Sequence, residues 1–205
     1  MRVFFSLLYQ PMAWSYDLVA DFVSWGRWND WVLSVLPYLN GPNILEIGYG
    51  PGHLQIALKR KALRVFGIDA SFQMGQQAQR RIQKQDFTPH LICGCAQHLP
   101  YPDKIFDQVV ATFPTNYIFS EESLRGVYSI LKPGGILVVL PTAWITGKQW
   151  ADRGTALLFR ITGQSPDWDS QRLKPFDDQG FQTDLIKVQR ESWSVAIILA
   201  TKPAS

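Results

Sequence analysis

Ile44-Leu-Glu-Ile-Gly-Tyr-Gly-Pro-Gly52 is an apolar run interrupted by one carboxylate, Glu46, and closed by three alternating glycines, Gly48, Gly50 and Gly52. So short a run suits a buried parallel strand, and the glycines let the backbone turn sharply and approach a bulky ligand closely. Glu46 stands two residues before the first glycine, so its carboxylate is expected at the strand's C-terminal edge. Doubly wound sheets bind their ligands at that edge. A second apolar run, Val65-Phe66-Gly67-Ile68, ends in Asp69, nineteen residues after Gly50. A carboxylate closing a second strand is placed to accept hydrogen bonds from a ribose diol.

The glycine spacing separates two kinds of ligand. A dinucleotide-binding turn requires Gly-x-Gly-x-x-Gly, and the place of its third glycine is taken by His53. A nucleoside without phosphates suits Gly-x-Gly-x-Gly behind an acid, because no helix N-terminus need be cleared for an anion.

Three further segments follow in order. Cys93-Gly-Cys-Ala-Gln-His-Leu-Pro-Tyr-Pro102 reads as the end of a third strand, and Phe106-Asp-Gln-Val-Val110 as a fourth. Leu131-Lys-Pro-Gly-Gly-Ile-Leu-Val-Val139 reads as the turn into a fifth. With the glycine loop, these segments resemble the class I S-adenosylmethionine-dependent methyltransferases, of the small-molecule, quinone-methyltransferase-like "type 11" kind. The resemblance runs closely from Asn43 to Pro141 and more loosely from Gly180 to Lys202. It implies an α/β fold: a doubly wound, mostly parallel seven-stranded sheet with an antiparallel C-terminal hairpin.

Composition agrees with one globular domain over residues 1–205. A chain of 205 residues sustains a core easily, and 46% hydrophobic with 18% charged residues is ordinary for a soluble enzyme. A net charge of +3 is too small to imply nucleic acid, and the basic runs Lys59-Arg60-Lys61 and Arg80-Arg81 read as solvated helix faces. Cys93 and Cys95 alternate on a strand end, a spacing that rarely closes a disulfide and makes a poor zinc site, so no metal is expected. Two free thiols fit a reducing cytosol. No apolar run reaches a membrane span. Val3 to Tyr9 superficially resembles a signal core, but Pro11, Asp17 and Asp21 follow without a small-residue cleavage site, so the segment reads as retained.

The chain divides into four parts. Residues 1–40 are helical in pattern and rich in aromatics, Tyr9, Trp14, Tyr16, Trp25, Trp28 and Trp31 among them, and Gly41-Pro42 then breaks the chain. Residues 41–143 alternate strands and helices, with helical sets at Leu54/Ala57/Leu58, Met74/Ala78/Ile82 and Leu124/Val127/Ile130, the last behind a capping Ser120. Residues 144–179 read as an irregular insertion, and 180–205 as a hairpin with strand-like runs at Leu185–Val188 and Val195–Ala200. By resemblance these are a lid, a cofactor-binding core, a substrate region and the closing hairpin.

The resemblance implies S-adenosyl-L-methionine as cofactor and assigns its contacts. Gly48, Tyr49, Gly50 and Gly52 form the loop that passes the methionine part and ribose. Glu46 anchors the methionine amino end or orders the loop, and Asp69 takes the ribose diol. Ala70 and Met74 pack on the adenine, and Thr112 ends the fourth strand beside the cofactor. Many relatives carry an aspartate for the adenine amino group where this chain has Cys95, a weak acceptor. Ala96 can still offer its backbone N–H, and Gln97 its amide.

Methyl transfer asks little chemistry of the protein, because alignment and exclusion of water suffice. No catalytic residue is therefore assigned; Tyr16 and His53 are the candidates, with His53 also readable as a helix-start residue packing beside the cofactor. Relatives that methylate planar amines carry Asn/Asp-Pro-Pro-Tyr after the fourth strand. This chain reads Thr112-Phe113-Pro114-Thr115, which disfavours nucleobase or glutamine N-methylation. An aromatic lid with Tyr16, and Phe113 and Trp144 near strand ends, suggests a small apolar or aromatic acceptor, quinol-, phenol- or lipid-like. The expected setting is cytoplasmic, with peripheral membrane contact through Val3 to Tyr9 as the variant that a lipid-like acceptor favours. The other functional class left open is a cofactor-binding partner or regulatory protein without transfer activity.

Overall fold

The computed structural model describes residues 27–146 and 172–204. Its centre is a seven-stranded sheet in the order β3-β2-β1-β4-β5-β7-β6. The strands are β1 (Asn43–Ile47), β2 (Arg64–Asp69), β3 (Leu91–Cys93), β4 (Phe106–Thr112), β5 (Leu131–Ile145), β6 (Gln182–Gln189) and β7 (Trp193–Thr201). β1 to β5 run parallel, and β7 lies antiparallel between β5 and β6. This is the α/β sheet with an antiparallel C-terminal hairpin that the sequence implies.

The central strands are apolar almost without interruption because helices cover both faces. Odd-numbered Leu45, Ile47, Val109 and Ala111 meet Leu124, Val127 and Ile130 of one helix, α4 (Glu121–Ile130). Even-numbered Ile44, Val110, Val138 and Leu140 meet Leu54 and Leu58 of α2 (His53–Arg60), with Trp31 and Val32 of α1 (Trp28–Leu33). Between them α3 (Phe72–Gln83) buries Met74, Ala78 and Ile82, one stripe at helical spacing. Ser71 and Ser120 cap α3 and α4 by accepting from the N–H groups of Met74 and Ser123.

Two organisational expectations change. The region 144–179 is not irregular at its ends. Trp144 and Ile145 extend β5 and pair with Ser194 and Trp193, while Lys174–Asp178 forms a short helix, α5, that buries Phe176. The hairpin strands are also longer than their apolar runs, because β6 is an edge strand whose residues alternate between exposed and half-buried.

The end of the N-terminal segment is part of the core. Val35 and Leu39 are fully buried, and the buried Gln108 of β4 ties the link down. Its Oε1 accepts from the N–H groups of Asn40 and Gly41, and its Nε2 donates to the Tyr38 carbonyl at 2.7 Å. The rest of the segment expected to form a lid, Tyr16 included, lies outside the described residues. Among the described residues, no helix is long and apolar enough to cross a membrane.

Candidate functional site

The strand order reverses between β1 and β4, so the loops leaving those two strands part and open a crevice. A cleft of about 900 Å³ lies there, large enough for a nucleoside and a second small molecule. Its walls come from the loop after β1, the ends of β2, β3 and β4, and α1.

Gly48, Gly50 and Gly52 all hold positive φ, at 74°, 50° and 85°, so the loop's path depends on them. Each serves a different contact. A side chain on Gly48 would meet the Tyr117 hydroxyl, 2.8 Å away. One on Gly52 would strike Ala78 of α3, at 3.0 Å from its Cβ. One on Gly50 would meet no atom of the described residues within 4 Å.

Asp69 orders this loop. Its Oδ2 accepts from the Gly50 N–H and its Oδ1 from the Ser71 N–H, both at 2.8 Å. Burial raises its pKa above the usual carboxylate range, and the two backbone bonds oppose that rise. An ionised carboxylate has about four lone-pair sites, so each oxygen keeps one for a ligand hydroxyl. Glu46 sits deeper, 2% exposed, and accepts from Gln55 Nε2 at 2.8 Å. Burial pushes its pKa up to about 8, the Gln55 bond opposing and the nearby Asp69 charge adding to the rise.

Of the residues expected at the cofactor, Glu46, Gly48, Tyr49, Gly50, Asp69, Ala70, Cys95, Ala96, Gln97 and Thr112 line this one cleft, together with His53 and Phe113. Gly52 and Met74 do not. Met74 is 1% exposed and turns into the core, and Gln73 stands at the wall instead. Its place in the Met74/Ala78/Ile82 stripe decides this, since that stripe faces inward. Trp144 is likewise absent from the walls; it lies on β5, paired with Ser194. Tyr49 is nearly buried, its ring lying over Gly67, where an added Cβ would come within 2.6 Å. His53 Nε2 lies 2.5 Å from the Arg81 guanidinium, which can only donate, so that ring nitrogen acts as an acceptor.

Several wall or support residues were not singled out as site residues from the sequence. Gln55 supports Glu46 from beneath. Tyr117, on the 3-10 turn Asn116–Phe119, reaches over the first glycine. Trp28 and Val32 come from α1, and Trp28 stacks on Phe113 with ring centroids 4.5 Å apart and planes 28° from parallel. Phe113 itself has φ +48°, an uncommon conformation for an aromatic residue, while its N–H still bonds the Leu140 carbonyl at 2.7 Å. Strain at a strand end is concentrated where side chains must be aimed.

The electrostatics choose among ligands. Glu46 and Asp69 both line the cleft, and among the described residues no Lys or Arg does. A pyrophosphate would face two acids and no cation, whereas a nucleoside with a cationic tail finds complementary partners. S-adenosylmethionine fits on these grounds. Asp69 and the Gly50 backbone would hold its ribose, Glu46 its amino end, and Cys95, Ala96 and Gln97 would wall its adenine.

This placement makes a chemical prediction. Cys93 and Cys95 are both exposed thiols, yet only Cys95 lines the cleft. S-adenosylhomocysteine at saturation is expected to slow iodoacetamide alkylation of Cys95 at least about tenfold and to leave Cys93 unaffected, scored by peptide mass spectrometry. Equal protection of both, or of neither, would place the adenine elsewhere.

Comparison with known proteins accords with this geometry. Residues 44–135 match the family model described as "Methyltransferase domain". The chain is 32% identical over 139 residues to the demethylmenaquinone methyltransferase of Thermotoga maritima, covering 65% of this chain and 59% of that protein. It is 36% identical over 112 residues to the uncharacterized methyltransferase YdaC of Bacillus subtilis, covering 52% of this chain and 60% of that one. The chain thus spans about 60% of the length of these curated relatives. Among solved structures, the [4+2]-cyclase SpnF superposes with a TM-score of 0.65 at 20% identity, over 87% of this chain and 81% of that one. A SAM-dependent methyltransferase of Methanosarcina mazei superposes with a TM-score of 0.60 at 20% identity, over 84% and 98%. These two likenesses establish the fold.

Proposed function

We propose that this chain, whose residues 44–135 match the methyltransferase-domain family model, transfers the methyl group of S-adenosylmethionine to a flat, apolar acceptor of the quinol or phenol kind. The observation that carries this reading is the Trp28–Phe113 stack on the wall of the cleft that also holds Glu46 and Asp69. Stacked aromatic faces favour a planar aromatic ligand by offset or edge contacts, worth about 0.5–1.5 kcal/mol each beyond area burial. Tyr117 and Thr115, on the same wall, supply hydroxyls toward a polar group on that ligand. The relatives named demethylmenaquinone methyltransferase support an acceptor of this class.

The sulfonium supplies an already activated methyl group, so the chain's own work is alignment. The Gly48–Gly52 loop and Asp69 fix one reactant, and the Trp28–Phe113 wall positions the other. Orientation of this kind is worth on the order of 7–11 kcal/mol in well-aligned model reactions. His53 Nε2 is already engaged by the Arg81 guanidinium, so no proton-accepting role is given to it. Tyr16 and Val3 to Tyr9 lie outside the described residues.

A second reading has one specific support. The fold also carries the [4+2]-cyclase SpnF, so the sheet and cleft do not by themselves dictate transfer. A cofactor-binding chain without transfer activity is the form that alternative takes here. Incubation with S-adenosylmethionine and a panel of reduced naphthoquinols, phenols and lipids separates the two. The proposal expects S-adenosylhomocysteine and methylated product in equal amounts with a quinol or phenol, and Trp28→Ala to raise the acceptor KM about tenfold with cofactor affinity unchanged. Cofactor binding with no product from any acceptor would favour the second reading.

A further inference from the structure

The two acids of the cleft are supported differently. Asp69 has both oxygens on backbone N–H groups, whereas Glu46 is met by a neutral amide, Gln55 Nε2, at 2.8 Å. Gln55 is fully buried on α2, and its Nε2 also donates to the Phe66 carbonyl at 3.1 Å, which fixes the amide's orientation. Its Oε1 is buried with no hydrogen-bond partner among the described residues. With Glu46 ionised, the pair holds more acceptors than donors, an arrangement that is costly in a buried site. A proton on Glu46 supplies the missing donor. A ligand ammonium supplies donors and a charge together.

We propose that Gln55 is a positioning residue that holds the Glu46 carboxyl at the ammonium end of the cofactor, and that capture of the ammonium expels a proton from Glu46. The inference rests on the cofactor placement given above. The step balances simply: the Glu46 O–H bond breaks, its proton leaves to solvent, and the carboxylate that remains pairs with the ammonium. No other bond changes. Gln55 keeps donating to the same oxygen in both states, so the carboxyl does not have to be repositioned when the ligand arrives.

Burial supports this direction, since it pushes the Glu46 pKa up to about 8 in the ligand-free chain. The other titratable groups of the cleft are Asp69 on β2, Tyr49 in the glycine loop, His53 at the start of α2, Cys95 beyond β3 and Tyr117 beyond β4. Asp69 reinforces the rise through its charge. The sign is fixed by the form that binds. The free chain holds the Glu46 proton below about pH 8 and the complex requires the carboxylate, so affinity must climb with pH and level off near that value.

Calorimetric titration of the full chain with S-adenosylhomocysteine, which shares the amino-acid end and cannot transfer methyl, tests this. In two buffers of different ionisation enthalpy near pH 6.5, about one proton should be released per ligand bound. Between about pH 5.5 and 7 the affinity should rise roughly tenfold per unit. The same slope should persist in His53→Gln, which removes the imidazole from the cleft wall. In Gln55→Met, which keeps the volume and removes the amide, affinity at pH 7 should fall roughly tenfold and the levelling point should move upward. A purely structural Gln55 would lower the melting temperature and leave the levelling point in place. A proton count near zero in the unaltered chain, or a folded Gln55→Met with an unchanged pH profile, overturns the inference. If S-adenosylhomocysteine fails to bind at any pH, the cofactor placement itself is wrong.

Discussion

Replacing Asp69 with Ala is expected to reduce cofactor affinity at least about 100-fold and to cost the fold about 2–4 kcal/mol. The two effects have one origin. The carboxylate accepts from Gly50 and Ser71, so its removal leaves two backbone N–H groups in a largely buried site without their acceptor. Charge-assisted bonds of this kind are worth about 1.5–3 kcal/mol each, and water entering the vacated space offsets part of the loss. The loop then loses its fixed path, and the ribose loses a charged acceptor. Asp69→Asn retains one acceptor oxygen, so it should fall between the two in both respects. Urea denaturation and calorimetry with S-adenosylhomocysteine measure the two effects separately. Full stability in a non-binding Asp69→Ala would mean that the aspartate touches ligand alone and does not order the loop.

Replacing Gly50 with Val is expected to weaken binding as much, at least about 100-fold, at a smaller cost to the fold of about 1–3 kcal/mol. At φ +50° a β-branched residue is strained, which sets the cost to folding. Among the described residues no atom beyond the chain neighbours lies within 4 Å of the added Cβ, so the branch point itself displaces nothing there. The new side chain instead fills space that the cofactor needs. Gly52→Ala provides the contrast. Its methyl would press on Ala78 of α3, at 3.0 Å from the Cβ and 3.2 Å from the backbone Cα, so it should destabilise the chain although Gly52 does not line the cleft. Thermal melts beside binding isotherms for the two variants show whether the three glycines divide their work in this way.

The elements that the sequence reveals are those whose pattern has one physical cause. β1, β2 and β4 are buried on both faces and read as short apolar runs. The stripes Met74/Ala78/Ile82 and Leu124/Val127/Ile130 repeat at helical spacing because one face of each helix meets the sheet. β6 is only half legible, since an edge strand is partly solvated and its Gln182, Asp184 and Lys187 carry no apolar signal. Cleft residues are legible where a residue type is dictated by backbone or charge, as at Gly50 and Asp69. Contacts made across space are not. Nothing near Gln55 in the sequence announces Glu46 nine positions earlier, and Tyr117 meets Gly48 only because the β4 loop folds back over the glycine turn. Met74 fails as an adenine contact for the same reason that the helix is legible: its stripe is the core face.

Titration of the chain with S-adenosylmethionine, repeated with Gly50→Val, tests the central claim most directly. One cofactor per chain is expected, with competition by S-adenosylhomocysteine and a loss of at least about 100-fold in affinity in a Gly50→Val protein that still melts cooperatively. Absence of binding, or binding that Gly50→Val leaves unchanged, would contradict it.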